Sequence, residues 1–141
     1  MAYISIEIEK DPKNPEVWFH YASAFDFLDR EEEAIQHYQK VAELGVEKLP
    51  LEFQPQWYLQ FGSTLRNVNK LDEARHILQQ GIERFPNYAA MKVFLALTEY
   101  SSGNSKTAAH LALQATLYDP KDNSLKLYQR AIKNYVAQLK K

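Results

Sequence analysis

The sequence predicts an all-α protein: three helix-turn-helix hairpins in series, closed by a C-terminal capping helix. Three observations predict it. Apolar residues recur at helical spacing: Tyr58, Phe61, Gly62 and Leu65 share one face, and Ala74, Ile77, Leu78, Gly81 and Ile82 share the next. The pattern also repeats. A shift of 34 carries Asn69 to Gly103, Ala74 to Ala108 and Pro86 to Pro120, and a backward shift of 40 carries Tyr58 to Trp18, Gly62 to Ala22, Ala74 to Ala34 and Leu78 to Tyr38. Finally, the turn residues Asp29, Asn69 and Gly103 are all types that accept left-handed backbone geometry. One such hairpin cannot bury its own apolar face, so the copies must stack.

Residues 1–14 form an N-terminal arm whose conformation the pattern leaves open. Ile4, Ile6 and Ile8 alternate with Ser5, Glu7 and Glu9 as in a strand, yet a helical array offers a strand no partner. A short helix or an extended arm on the first hairpin is the favoured reading. The first unit spans 15–54. Asn14-Pro15 starts its first helix, with a capping side chain followed by a proline in the first turn. That helix runs to about Leu28 and is expected to bury Trp18, Tyr21, Ala22 and Phe25. Glu31, Glu32 and Glu33 open the second helix at its positive dipole end, and Gly45 closes it. The insertion Val46 to Gln54 is too apolar for a solvated loop, through Leu49, Leu51 and Phe53, and Pro50 breaks it.

The second unit, 55–88, turns at Val68-Asn69-Lys70, places Asp72 and Glu73 in the first turn of its second helix, and ends at Pro86. At the start of the third, 89–122, the helix from Tyr88 to Tyr100, YAAMKVFLALTEY, is apolar nearly all round, which implies burial on both sides. Asn104-Ser105 then caps a helix carrying Leu111, Leu113 and Leu117. Residues 123–141 form the last helix. Leu125, Tyr128, Ile132, Tyr135, Val136 and Leu139 face the array, while Lys126, Arg130, Lys133 and Lys140 face away. A polar outer face is what an end cap requires.

A helix-turn-helix period of 34 residues resembles the tetratricopeptide repeat (TPR) family. Trp18, Ala22, Ala34 and Tyr38 fill its pattern in the first copy, and Tyr58, Gly62, Ala74, Leu78 and Pro86 in the second. Ala96, Ala108, Ala112, Ala115 and Pro120 fill it in the third. Lys92 departs from it, standing where an early aromatic belongs, and so does the missing proline at the end of the first copy. The resemblance covers roughly Pro15 to Lys141. It implies a single domain, a right-handed α-α superhelix, in which the first helix of each pair lines a concave groove that binds a protein or peptide partner. By the same resemblance, the groove side chains are Phe19, Ser23, Asp26 and Phe27 in the first copy. They are Leu59, Gln60, Ser63 and Arg66 in the second, and Ala90, Val93, Phe94, Leu97 and Tyr100 in the third. Some TPR domains clamp a terminal carboxylate with lysine, asparagine and arginine. Phe19, Ser23, Gln60, Ala90 and Phe94 stand at those places here, so that clamp is absent. An apolar wall of this kind suits an apolar or helical partner segment, or else the chain's own insertion or arm. On this reading, Phe94→Glu weakens partner binding and leaves helicity intact.

Composition narrows the function further. There is no cysteine, and hence no disulfide or thiolate metal site. No Gly-x-Ser-x-Gly or glycine-rich phosphate loop occurs, so no enzyme activity and no cofactor are expected. His76 and His110 are equivalent residues of successive units, but two histidines fall short of a zinc site and no metal is expected. No signal peptide or membrane-length apolar run is visible, which points to a soluble, cytoplasmic protein without membrane contact. The net charge of −1 conceals two halves: 12 acidic and 5 basic residues in 1–54, against 6 and 12 in 55–141. That polarity makes a homodimer the second functional reading, although solvated helix faces explain it as well. A nucleic-acid partner through the basic last helix is disfavoured, because the isoelectric point is about 6.4 and Tyr128 and Tyr135 fit a core better than a stacking platform.

Overall fold

The computed structural model describes residues 10–118 and 121–140. Its elements are α1 (Pro15–Phe27), α2 (Glu31–Leu44), two 3-10 turns (Val46–Lys48 and Leu51–Phe53), α3 (Gln54–Asn67), α4 (Leu71–Arg84), α5 (Ala89–Ser101), α6 (Ser105–Ala115), α7 (Ser124–Leu127) and α8 (Gln129–Lys140). No strand occurs among the described residues, and no helix there is long and apolar enough to cross a membrane. The alternating segment Ile4 to Ile8 lies outside the described residues.

The three hairpins are α1–α2, α3–α4 and α5–α6, and each turns where the sequence expects. Asp29, Asn69 and Gly103 have φ of 58°, 64° and 86°. Each turn reverses the chain with a backbone bond back across it: Arg30 N–H to Phe25 O, Lys70 N–H to Leu65 O, and Asn104 N–H to Glu99 O. At the start of α1, Asn14 Oδ1 accepts the Glu16 N–H at 3.0 Å. Gly45, at φ 115°, ends α2. Asn104 holds the N-cap position of α6 as expected, but without a side-chain capping hydrogen bond. Its amide N–H donates to Glu99 Oε2 at 2.8 Å, so the side chain is turned toward that buried carboxylate and its oxygen does not accept from the free N–H groups of the helix.

The hairpins stack through interlocking large and small residues. Gly62 of α3 receives Leu78 of α4, whose Cγ would lie 2.5 Å from a Cβ at that glycine. Phe19, Tyr38, Leu59, Leu65, Leu78 and Met91 are buried along the axis. Trp18 and Tyr21 are only half-buried, contrary to expectation. Phe19 and Phe25 take the inner positions of α1, while the Trp18 indole turns outward to donate to Pro12 O at 2.9 Å. The insertion folds down on the array and breaks at Pro50: Val46 and Leu49 are buried, and the Phe53 ring packs tilted against Phe19 with centroids 5.5 Å apart. Buried Gln54 holds it in place, donating to Leu49 O at 2.9 Å. Leu51 of the insertion remains exposed.

α5 is buried nearly all round, as its composition predicts. Its one buried acid, Glu99, accepts from Arg75 of α4, and that guanidinium also reaches Asp72 at 2.8 Å and Ser102 at 2.9 Å. The hydrogen bond to Glu99 is the main cause holding the Arg75 pKa above its ordinary value. The last helix is not continuous. It breaks at Tyr128, and its distal part, α8, carries Tyr135 to within 6.0 Å of the Phe94 ring. Val136 and Leu139, expected to face the array, are exposed because α8 swings across the inner face of α3 and α5 and leaves α6 uncovered.

Candidate functional site

The first helices of the hairpins and α8 enclose a hollow of about 500 Å³. Ser23, Asp26 and Phe27 of α1, Leu59, Gln60 and Ser63 of α3, and Phe94 of α5 line it. These seven come from the thirteen groove residues expected from sequence. Asp29, Glu31, Thr64, Asn67, Tyr128, Ala131 and Tyr135 complete the lining.

Helical spacing explains who meets whom. Ser23 and Asp26 lie three apart on α1, and Gln60, Ser63, Thr64 and Asn67 lie at the same kind of interval on α3, so the polar stripes of two neighbouring helices face each other. Ser23 Oγ donates to Gln60 Oε1 at 2.9 Å. The Tyr38 hydroxyl, reaching across from α2, donates to the Asp26 carboxylate, and Thr64 Oγ1 lies 2.8 Å from both Asp26 oxygens. Burial pushes the Asp26 carboxyl above its ordinary pKa, against the hydrogen bonds from Tyr38 and Thr64, which pull it down. Burial and the adjacent Asp26 likewise raise the Tyr38 phenol well above its ordinary value.

A raised pKa in the folded state means that the native chain holds this proton more tightly than the unfolded one. Its effect on stability is absent well below the unfolded pKa, taken as 3.8. It becomes a penalty as pH rises from there through the higher folded pKa, and it is constant above that. The stability difference between wild type and Asp26→Asn, measured by urea unfolding against pH, should therefore drift in favour of the variant as pH rises out of the acid range. It should then level off. A difference that is flat throughout would mean that Asp26 titrates as an ordinary carboxylate.

The other six expected groove residues are placed elsewhere. Phe19 and Ala90 are core; the Ala90 N–H donates to Ser124 Oγ at 2.9 Å. Arg66 is half-buried with its guanidinium 5.2 Å above the Tyr135 ring, joining α3 to α8. Val93, Leu97 and Tyr100 line a second, apolar slot of about 470 Å³ between α5, α6 and α8. Ala96, Ser105, Ala108, Ala109, Ala112, Ile132, Tyr135, Val136 and Leu139 complete it. Phe94 is 3% exposed and covered by Tyr128 and Tyr135. The expectation that Phe94→Glu spares folding is therefore corrected: α8 makes this ring part of the core. Phe27, at 88% exposed, is the apolar side chain left standing at the rim of the hollow.

Sequence reasoning missed Tyr128 and Tyr135 as groove walls, because seven-residue spacing shows that they share a face and not which helix that face meets. It also missed the carboxylates of Asp29 and Glu31, which flank the first turn and line the same mouth. Among the described residues, no three His, Cys, Asp or Glu side chains gather as a metal site would need, and His76 and His110 are both exposed.

Stacked helical hairpins around a hollow define a helical-repeat scaffold. A family model described as tetratrico peptide repeat matches residues 15–139, and the chain belongs to that family. Among solved structures, the crystal structure of MamA is similar to it, at 17% identity, covering 98% of this chain and 88% of that one, with a TM-score of 0.74. That likeness is one of fold. No curated protein matches the sequence. Membership of the TPR family makes the chain a protein–protein interaction module in the general sense.

Proposed function

We propose that this protein is a non-enzymatic, cytoplasmic adaptor whose concave hollow, between α1, α3, α5 and α8, takes a short segment of a partner protein. The observation that carries the reading is Phe27, a fully presented aromatic ring at the mouth of a lined hollow. Aromatic anchors dominate the energetics of binding surfaces, and this ring stands beside a concave lining able to receive a partner segment. Ala131 and the two tyrosines, backed by the buried Leu59 and Phe94, form the apolar side, and Asp26, Asp29 and Glu31 put carboxylates along the other. The fitting segment therefore has an apolar anchor and a nearby lysine or arginine, which adds a charge to the apolar or helical segment expected from sequence.

Selection of a displayed random-peptide library on the purified chain should enrich peptides with an apolar residue close to a basic one. Phe27→Ser should weaken those peptides about tenfold or more, equivalent to about 1.4 kcal/mol, with an unchanged circular dichroism spectrum. Enriched peptides that bind the variant equally well would refute the hollow as their site.

A second reading, self-association, is favoured by the acidic first half and basic second half of the chain. It predicts a dimer by light scattering that dissociates as salt passes about 0.1 M, where charges are screened beyond about 10 Å. A monomer at high concentration in low salt would rule it out.

A further inference from the structure

We infer that the apolar slot between α5, α6 and α8 is a second docking site, separate from the concave hollow, and that its occupant is an amphipathic helix of a partner protein with acidic flanks. The slot exists because the array departs from its own rule at this end. α2 packs against α3, and α4 against α5, so each second helix is covered by the next first helix. α6 has no comparable contact with α7 or α8, because the break at Tyr128 sends α8 toward Phe94 and Arg66 instead. A side-chain difference deepens the gap. The 34-residue shift makes Ala112 the counterpart of Leu78. Leu78 is buried and fills the space beside Gly62, whereas Ala112 is exposed and fills nothing.

What remains is a trough with α5 as floor and two helices as walls. Its volume of about 470 Å³ lies within the ~300–1,000 Å³ that ligand sites occupy. No charged side chain lines it. A trough between two helices takes a third helix, read through apolar residues at i, i+3, i+4 and i+7. The chain around the slot is basic. Lys133 and Lys140 are sequence neighbours of the lining residues Ile132 and Leu139 on α8, and Lys106 of Ser105 on α6; all three are exposed. None of the three lysines has an ion-pair partner among the described residues. Residues 101–141 hold seven lysines and arginines against two aspartates and no glutamate. An occupant with glutamates beside its apolar stripe is drawn to this basic end of the molecule, and one with lysines is repelled.

The test uses two fluorescent peptides of about 15 residues, long enough to hold a helix. Both carry leucine at i, i+3, i+4 and i+7, one flanked by glutamates and the other by lysines. By anisotropy, the glutamate peptide should bind the full chain at least about tenfold more tightly than the lysine peptide. Its binding should weaken as salt rises past about 0.15 M, where the Debye length is about 8 Å. Ala112→Leu, which restores the leucine of the preceding repeat, should weaken it about tenfold or more, and Phe27→Ser should leave it unchanged. The surface variant Lys133→Glu/Lys140→Glu should invert the charge preference, which keeps the test decisive should Ala112→Leu disturb folding. Failure of both peptides to bind, equal binding of the two, or indifference to these slot variants would overturn the inference. So would binding only after removal of residues 1–9, or a wild-type dimer that Ala112→Leu makes monomeric, since each would assign the slot to the chain itself.

Discussion

Phe94→Glu should remove more than about 4 kcal/mol of folding stability, a loss on the scale that burying an unpaired charge produces. The ring is 3% exposed, and the Tyr128 and Tyr135 rings meet it edge-on at 5.8 and 6.0 Å. Replacing it removes the transfer energy of an aromatic side chain and the contacts of two tyrosines, about 3–5 kcal/mol for truncation alone. It also forces a carboxylate into an apolar seam, where the charge must escape to water or be neutralised. Domains of this size are stable by only about 5–15 kcal/mol, so the variant should be partly unfolded at room temperature. Phe94→Leu should cost clearly less, about 1–3 kcal/mol, because it keeps the site apolar and loses chiefly the two edge-on ring contacts. Urea denaturation followed by circular dichroism measures both. A Phe94→Glu chain with wild-type stability would mean that α8 does not rest on this ring and that Phe94 belongs to an open wall.

Gly81→Leu should destabilise by about 3 kcal/mol, at the upper end of what overpacking produces. A Cβ at Gly81 would stand 2.7 Å from Tyr58 Cβ and 2.9 Å from Met91 Cε and Sδ. The two neighbours respond differently. Met91 is flexible and can withdraw. Tyr58 Cβ is fixed to the α3 backbone, so α3 and α4 must move apart, and the fully buried Leu78 beside Gly62 moves with them. Alanine at Gly81 gains about 1 kcal/mol of helix propensity and meets the same contact, so its net effect should be much smaller than that of leucine. A leucine variant as stable as wild type would show that the helices are further apart than described.

The residues that made the fold legible share one property: their effect is local. Asp29, Asn69 and Gly103 reverse the chain by their own φ, whatever packs around them. Asn14 caps its helix within two residues. Gly62 and Gly81 signal close approach because a missing side chain inside an apolar stripe has few other uses. The candidate site was legible in part for the same reason. Repeat register puts Ser23, Asp26, Leu59 and Gln60 on the inner helices, and those residues do line one hollow.

What escaped the sequence depends on partners far along the chain. Asp26 is held by Tyr38 and Thr64, 12 and 38 residues away, and Arg75 meets Glu99 across 24. Periodicity states that residues share a face; it does not state what covers that face. The same uncertainty applied to the C-terminal helix, whose stripe of Tyr128, Ile132, Tyr135 and Val136 is compatible with packing on α6 or on α3 and α5. The sequence by itself determined three hairpins, their turns and the small residues at which they interlock, since backbone sterics and helical spacing operate within a few residues. Only the tertiary structure decided that α8 breaks at Tyr128, buries Phe94, closes one side of the hollow and leaves a slot beside α6, because that outcome turns on which of two apolar surfaces the same stripe covers.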